Sequence, residues 1–282
     1  MFFIAHWFIK IALKLIFLPP PPYFMYKYSY FYISPISENN HPPTMTTIAI
    51  ADDKPHYLYR LEKAVASHKQ YKHVFSVQNG CDLLLKLTSA SSLPDILLLD
   101  IEMPKLDGLL ATTYLYYKFP SLKIIAASSH LSKDLVAEVI TEGATSFISK
   151  HSLEPDSITY KSLYGKRDIL KESVDHTLQN KSYIDLQLFN KGEYLQKTKA
   201  TAYIRHQKYP TLHPTITEFI ILNAGELTFT EIGAIMNKGK ATIKGYSSQA
   251  SELFGVKGSD AIKSFCIKHG LVKLPSYYDK YY

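Results

Sequence analysis

Residues 95–108 read Asp95-Ile-Leu-Leu-Leu-Asp100-Ile-Glu-Met-Pro-Lys-Leu-Asp107-Gly108. Four uninterrupted apolar residues, Ile96 to Leu99, run into a single carboxylate. An apolar run this short, entered from Pro-Asp, has the pattern of a strand buried on both faces, as in a parallel sheet. Asp100 then falls at the carboxyl end of that strand, where open α/β sheets bind their ligands. Met-Pro and Asp-Gly steps turn the chain sharply just beyond it. Alone, the stretch is equally an ordinary buried strand with a polar end, so its neighbours must decide.

Those neighbours alternate. Ile48–Ala51 is strand-like and ends at Asp52-Asp53, and Tyr57 to Ser67 follows with Leu58, Leu61 and Val65 at helical spacing. His73–Gln78 is a second strand and Asp82–Thr88 a second helix, leading into Ile96–Leu99. Leu109–Tyr117 is helical and closed by Pro120, Lys123–Ala127 ends in Ser128-Ser129, and Ser132 opens a helix stopped by Gly143. Thr145–Ser149 is a fifth strand ending at Lys150. After residues 151–166, which read as an insertion with Pro155 and Gly165, residues 168–180 give a fifth helix with an apolar face at Ile169, Val174 and Leu178. Strict β-α alternation with short connections predicts a doubly wound, five-stranded parallel sheet.

The chemistry lies in where the polar residues fall. Asp52, Asp53, Asp100, Ser128 and Lys150 all stand at carboxyl ends of predicted strands, and right-handed crossovers bring such ends to one edge. Three converging carboxylates raise each other's pKa, and a hard divalent cation relieves the repulsion; oxygen ligands with open positions suit Mg²⁺. With Mg²⁺ bound, Asp100 can act as a nucleophile towards phosphorus, while a lysine and a hydroxyl receive the new phosphoryl oxygens.

The motifs Ala51-Asp52-Asp53, Leu98-Leu99-Asp100-Ile101-Glu102-Met103-Pro104-Lys105-Leu106-Asp107-Gly108, Ala127-Ser128-Ser129 and Phe147-Ile148-Ser149-Lys150 resemble the receiver domain of bacterial two-component response regulators, over residues 45–182. The resemblance implies a flavodoxin-like fold in which Asp100 accepts a phosphoryl group from a sensor histidine kinase. Asp52, Asp53, Asp100 and the backbone carbonyl of Glu102 would hold Mg²⁺. Ser128 matches the switch hydroxyl, with Ser129 beside it as the alternative; Phe147 matches the aromatic switch, and Lys150 the phosphate-contacting lysine. The insertion lies next to a surface that many receivers use to dimerise.

Residues 183–211 hold five Lys/Arg and little periodicity, as in a flexible linker, with a possible helix around 199–206. From Leu212 the pattern is helical: 215–224 ended by Gly225, a capping-box start at Thr228-Phe-Thr-Glu231, a break at Asn237-Lys238-Gly239, then 240–253 and 259–269. Two short helices across a Gly-containing turn suggest a helix-turn-helix, although any small four-helix domain would fit the pattern. Pro214, Glu218, Glu231-Ile232, Thr242-Ile243-Lys244 and Phe254-Gly255-Val256 resemble the LuxR/NarL type of DNA-binding domain, here 212–275 before a tail at 276–282. The resemblance implies that 240–253 enters the major groove of promoter DNA. Lys238, Lys240 and Lys244 would contact phosphates, and Thr242, Tyr246 and Gln249 could reach base edges. The chain departs from that family at Gly239, Gly245 and Tyr246, and basic residues late in the helix are replaced by Ser247, Ser248 and Glu252. Gly245 inside a helix costs about 1 kcal/mol against Ala.

Charge agrees with this division. The net charge is +7, with eleven basic and eleven acidic residues in 45–150 but eighteen against thirteen in 151–282. A basic back half suits an acidic partner such as DNA. Cys81 and Cys266 show neither metal-ligand spacing nor a disulfide framework, which suits a reducing cytoplasm. Residues 1–44, apolar at first and then Pro- and Tyr-rich, lack a signal-peptide pattern; a start at Met45, with 1–44 a non-native or dispensable extension, is expected ahead of a weak membrane anchor. The overall expectation is a cytoplasmic response regulator, dimerising on phosphorylation, with no small-molecule substrate and no second catalytic constellation. The competing expectation is a phosphorylation-dependent interaction adaptor whose degenerate helix-turn-helix has lost DNA.

Overall fold

In the computed structural model, five strands form one parallel sheet ordered β2-β1-β3-β4-β5: β1 (Thr46–Ala51), β2 (Tyr71–Val77), β3 (Ile96–Asp100), β4 (Lys123–Ser128) and β5 (Ser146–Ser149). The structure describes residues 45–130, 132–154, 161, 164–185 and 212–275. The extension 1–44, Pro155, the possible helix at 199–206, residues 186–211 of the expected linker and the 276–282 tail lie outside them.

Every residue of β3 is buried, and its side chains divide by parity. Leu97 and Leu99 face a layer built with Leu84 of α2 (Gly80–Ser89), Leu110 of α3 (Gly108–Lys118) and Val139 of α4 (Lys133–Glu142). Ile96 and Leu98 face Leu61 and Val65 of α1 (Pro55–Ala66) and Val174 of α5 (Ile169–Leu178). This is why the run has no polar alternation: both faces are interior. Burying each such side chain contributes about 1.5–3 kcal/mol.

Local chemistry sets the helix ends. Asn79 Oδ1 accepts the Asp82 amide at 2.8 Å, Asp107 Oδ1 the amides of Leu109 and Leu110 at 2.9 Å, and Ser132 Oγ that of Leu135 at 3.1 Å. Gly143 ends α4 at φ 127°. After Lys150 a short 3₁₀ turn (Lys150–Leu153) leads away from the sheet.

Two expectations for the end of this α/β part need correction. Leu178 is 38% exposed; the buried face of α5 is Ile169, Leu170, Ser173, Val174 and Thr177. Tyr183–Asp185, expected to begin the linker, instead lies along β5: Tyr183 O accepts the Phe147 amide at 2.8 Å, and Phe147 O accepts the Asp185 amide at 3.2 Å. The open edge of β5 had backbone groups to satisfy, and these residues satisfy them.

The helical part comprises α6 (Pro214–Ala224), α7 (Phe229–Met236), α8 (Lys240–Phe254) and α9 (Ser259–Lys268), around Phe219, Leu222, Ile232, Ile243, Ile262 and Cys266. Thr228 and Glu231 form the full capping box of α7. Asn237, left-handed at φ 53°, makes the turn into α8, and Lys238 N donates to Gly233 O at 2.8 Å. Gly239 gives α8 no side-chain cap.

The two parts share one hydrophobic core, with α6 packed on α3 and α7 on α2. The buried Glu218 carboxylate accepts from Tyr114 Oη at 2.8 Å and from Lys118 Nζ at 2.9 and 3.1 Å, and Lys105 Nζ pairs with Glu231 at 3.2 Å. Between them sits the β3–α3 loop, where Lys105 (φ 50°) and Leu106 (φ 81°) are left-handed. A Cβ on Gly80 would lie 2.1 Å from Leu106 O, and one on Gly108 2.1 Å from Asp100 O. Only glycine admits backbone that close.

Candidate functional site

Register assembles the site. Ala51 pairs with Leu99, so Asp52 emerges beside Asp100; Asp100 pairs with Ala127, and Ser128 with Ser149, so Ser128 and Lys150 follow along the same edge. Lys150 Nζ lies 2.7 Å from Asp52 Oδ2 and 2.8 Å from Asp100 Oδ2. All three side chains are 4% exposed or less. Asp100 Oδ1 accepts the Glu102 amide at 3.3 Å, and Asp52 Oδ1 the Lys54 amide at 3.0 Å. Asp53 Oδ2 meets Lys54 Nζ at 2.7 Å, while its buried Oδ1 has no hydrogen-bond partner.

Burial pushes the Asp100 carboxyl up to about 7; Lys150 opposes this, and the neighbouring Asp52 charge adds to it. Burial acts against the Lys150 charge, but Asp100 and Asp52 outweigh it and the ammonium is held above its usual value. Lys150 thus balances two members of a cluster of three carboxylates, Asp52, Asp53 and Asp100, one oxygen of each lying within 4.8 Å of the others. The unpartnered Asp53 oxygen and this all-oxygen donor set fit a hard divalent cation, which Asp52, Asp53 and Asp100 would hold.

The other predicted residues are placed as follows. Ser128 is fully buried and its Oγ accepts the His130 amide at 2.9 Å; Ser129 is exposed and its Oγ donates to Tyr57 Oη at 3.3 Å. Phe147 is fully buried in the middle of β5. Glu102 meets Asp100 through its amide. On the helical part, Lys238, Lys240, Thr242, Lys244 and Gln249 are exposed, whereas Tyr246 is half-buried against the core. The sequence pattern places Tyr246, with Thr242 and Gln249, on or near the exposed face of α8, and its ring is exposed in part only. Its ring packs because an apolar aromatic one turn from Ile243 gains more from the core than from water.

Sequence reasoning missed Tyr57, Tyr114 and the cap at Asp107. Only Asp107 carried a local signal, since Asp before Gly-Leu-Leu is a helix start.

The profile of the response regulator receiver domain matches residues 48–160. The chain is 32% identical over 106 residues to the chemotaxis protein CheY of Listeria monocytogenes, covering 38% of this chain and 87% of that protein. It is 25% identical over 220 residues to the glycerol metabolism activator of Pseudomonas putida, covering 66% of this chain and 98% of that one. Over 139 residues it is 30% identical to the transcriptional regulatory protein DegU of Brevibacillus brevis, covering 49% and 52% respectively. With the matched carboxylates and lysine gathered at one edge of a five-stranded parallel sheet, the chain belongs to the response regulator receiver family.

Proposed function

We propose that this chain is a two-component transcription regulator in which Asp100 accepts a phosphoryl group from a histidine kinase and the helical part binds promoter DNA. The observation that carries the reading is Lys150 Nζ at 2.7 and 2.8 Å from Asp52 and Asp100, beside an Asp53 oxygen with no partner. An Asp100 oxygen forms the new bond to phosphorus as the bond from phosphorus to the donor's imidazole nitrogen breaks. The electron pair remains on that nitrogen, which is protonated from solvent. When bound, Mg²⁺ supplies positive charge to the oxygens of the transferring group. Lys150 then exchanges a carboxylate for a phosphoryl oxygen, Ser128 gives up its local bond to do the same, and Phe147 responds as the switch aromatic.

Output runs through α8. Lys238 in the turn before it and Lys240 and Lys244 on its exposed side suit phosphate contacts, and Thr242 and Gln249 suit base edges. The relatives named as an activator and as a transcriptional regulatory protein favour this over a receiver acting alone. Few basic residues make the affinity moderate, salt-dependent and reliant on a dimer. The fold with its kinase and DNA partners belongs in the cytoplasm; among the described residues no helix is long and apolar enough to cross a membrane.

The test is DNA binding by the whole chain, with acetyl phosphate and Mg²⁺, for wild type, Asp100→Asn and Lys240→Ala/Lys244→Ala. The phosphodonor should tighten binding for wild type alone, and the double variant should lose about two counterions from its salt slope. Gly245 inside α8 and the half-buried Tyr246 favour a second reading, the adaptor without DNA contact. A salt slope unchanged by the double lysine substitution selects it.

A further inference from the structure

Lys150 has a third partner, on α1. The face of the Tyr57 ring lies 4.5 Å from its ammonium nitrogen. Tyr57 is half-buried, its Oη accepts from Ser129 Oγ at 3.3 Å, and the His56 ring flanks it at 4.3 Å. Two carboxylates therefore hold the ammonium on one side and an aromatic face covers another, leaving the Lys150 side chain 4% exposed. A cation is attracted to such a face by the ring quadrupole, most strongly where water is excluded.

The distinction between these partners matters when phosphorus arrives. Lysine carries its charge on a flexible stem with three rotatable donors. One Asp100 oxygen becomes part of the new bond, so the ammonium must turn its donors from carboxylate to phosphoryl oxygen without swinging into solvent. A ring restrains the cation yet offers no oxygen that competes for those donors. We propose that Tyr57 is a positioning residue for the chemistry at Asp100, its ring holding the Lys150 ammonium where it can meet the incoming phosphoryl oxygens. The proposal rests on Asp100 being the phosphoacceptor.

The experiment uses the full chain with Mg²⁺ and acetyl phosphate, which needs no kinase surface. An Asp100 oxygen bonds to phosphorus, the bond from phosphorus to the acetate oxygen breaks, and acetate leaves with the electron pair. Initial phosphorylation rates are followed on phosphate-affinity gels, and beryllofluoride affinity by ¹⁹F NMR, for Tyr57→Leu, Tyr57→Met and Tyr57→Phe. Loss of the ring should lower both quantities by about two- to thirtyfold in the Leu and Met variants. Tyr57→Phe keeps the ring and should stay within about twofold of wild type, with thermal midpoints of the folded variants close together. Wild-type rates in Leu and Met overturn the proposal. A loss in Phe equal to that in Leu also overturns it, because the Ser129 contact would then be the cause. Asp100→Asn separates the two levels: modification at the wild-type rate removes the acceptor reading, and the proposal falls with it.

Discussion

Replacing Lys150 by Met tests how the carboxylate cluster is held together. The ammonium is the shared cation of Asp52 and Asp100 at 2.7 and 2.8 Å, with side-chain exposures of 0% and 3% for the two acids. Methionine keeps an unbranched apolar stem and removes the ammonium with its charge and three donors, leaving two carboxylates in one desolvated pocket. Breaking a buried pair by deleting one partner costs about 3–5 kcal/mol. At about 2–4 °C per kcal/mol for a chain of this size, the thermal midpoint should fall by roughly 6–20 °C. The measurement belongs at pH 8, above the value of about 7 that Asp100 has with Lys150 beside it. Loss of the ammonium pushes that carboxyl higher still, so the fall in midpoint should grow as the pH is raised further. Mg²⁺ at a hundred times its dissociation constant adds about 2.7 kcal/mol and should restore a large part of the loss. It should also stabilise the variant more than wild type at equal total concentration, since one competing positive charge has gone. A fall below about 2 °C, or a variant that Mg²⁺ does not stabilise, would refute the view that charge balance governs this site.

Three further outcomes follow from other parts of the molecule. In a double-mutant cycle, Tyr114→Phe and Glu218→Gln should couple by about 1.5–3 kcal/mol in chemical denaturation, as a buried bond to a charged acceptor does; additivity would mean the helical part is not seated on α3. Burial pushes Asp107 up to about 7, so its folded form holds a proton that the unfolded chain releases near 4. Stability should therefore fall as pH rises from about 4 to 7 and level off above, and Asp107→Asn should flatten this slope; an unchanged profile counts against it. Gly108→Ala forces a Cβ to within 2.1 Å of the Asp100 carbonyl and should cost at least about 3 kcal/mol in denaturant titration while lowering Mg²⁺ affinity; a near-neutral result would show that the loop does not pass this close.

Much of the α/β part could be read from the chain because its signals are local. Ile96–Leu99 has no polar residue, so it had to be interior on both sides, and each strand meets its polar residue at one end. The carboxylates, Ser128 and Lys150 follow from strand order and handedness alone, without knowledge of any side-chain contact. The failures are contacts between distant positions. Glu218 and Tyr114 are 104 residues apart, and nothing in either segment announces the other. Glu218 looked like a residue of the helical domain's own pattern, yet in the fold it joins that domain to α3. Tyr183–Asp185 looked like linker because three residues show no period; they are ordered by the open edge of β5. Tyr57 reads as one more residue at the start of an amphipathic helix, and only the arrival of Lys150 from β5 gives its ring a charge to cover.

The docking of α6 and α7 on the α/β part has a consequence for exchange of domains between related chains. Leu106 is seated against Gly80 on one side and Gly225 on the other, and Lys105 beside it reaches Glu231. The loop that shapes the Asp100 pocket is therefore also half of a joint, and its length is shared property of both parts. One residue inserted or deleted between Pro104 and Asp107 would misalign the joint even if every pocket residue kept its place. A chimera carrying a foreign helical part on this receiver should thus work only when the loop and the facing ends of α2 and α3 travel with it. Recombination that respects the apparent boundary at the linker would cut through the junction that matters.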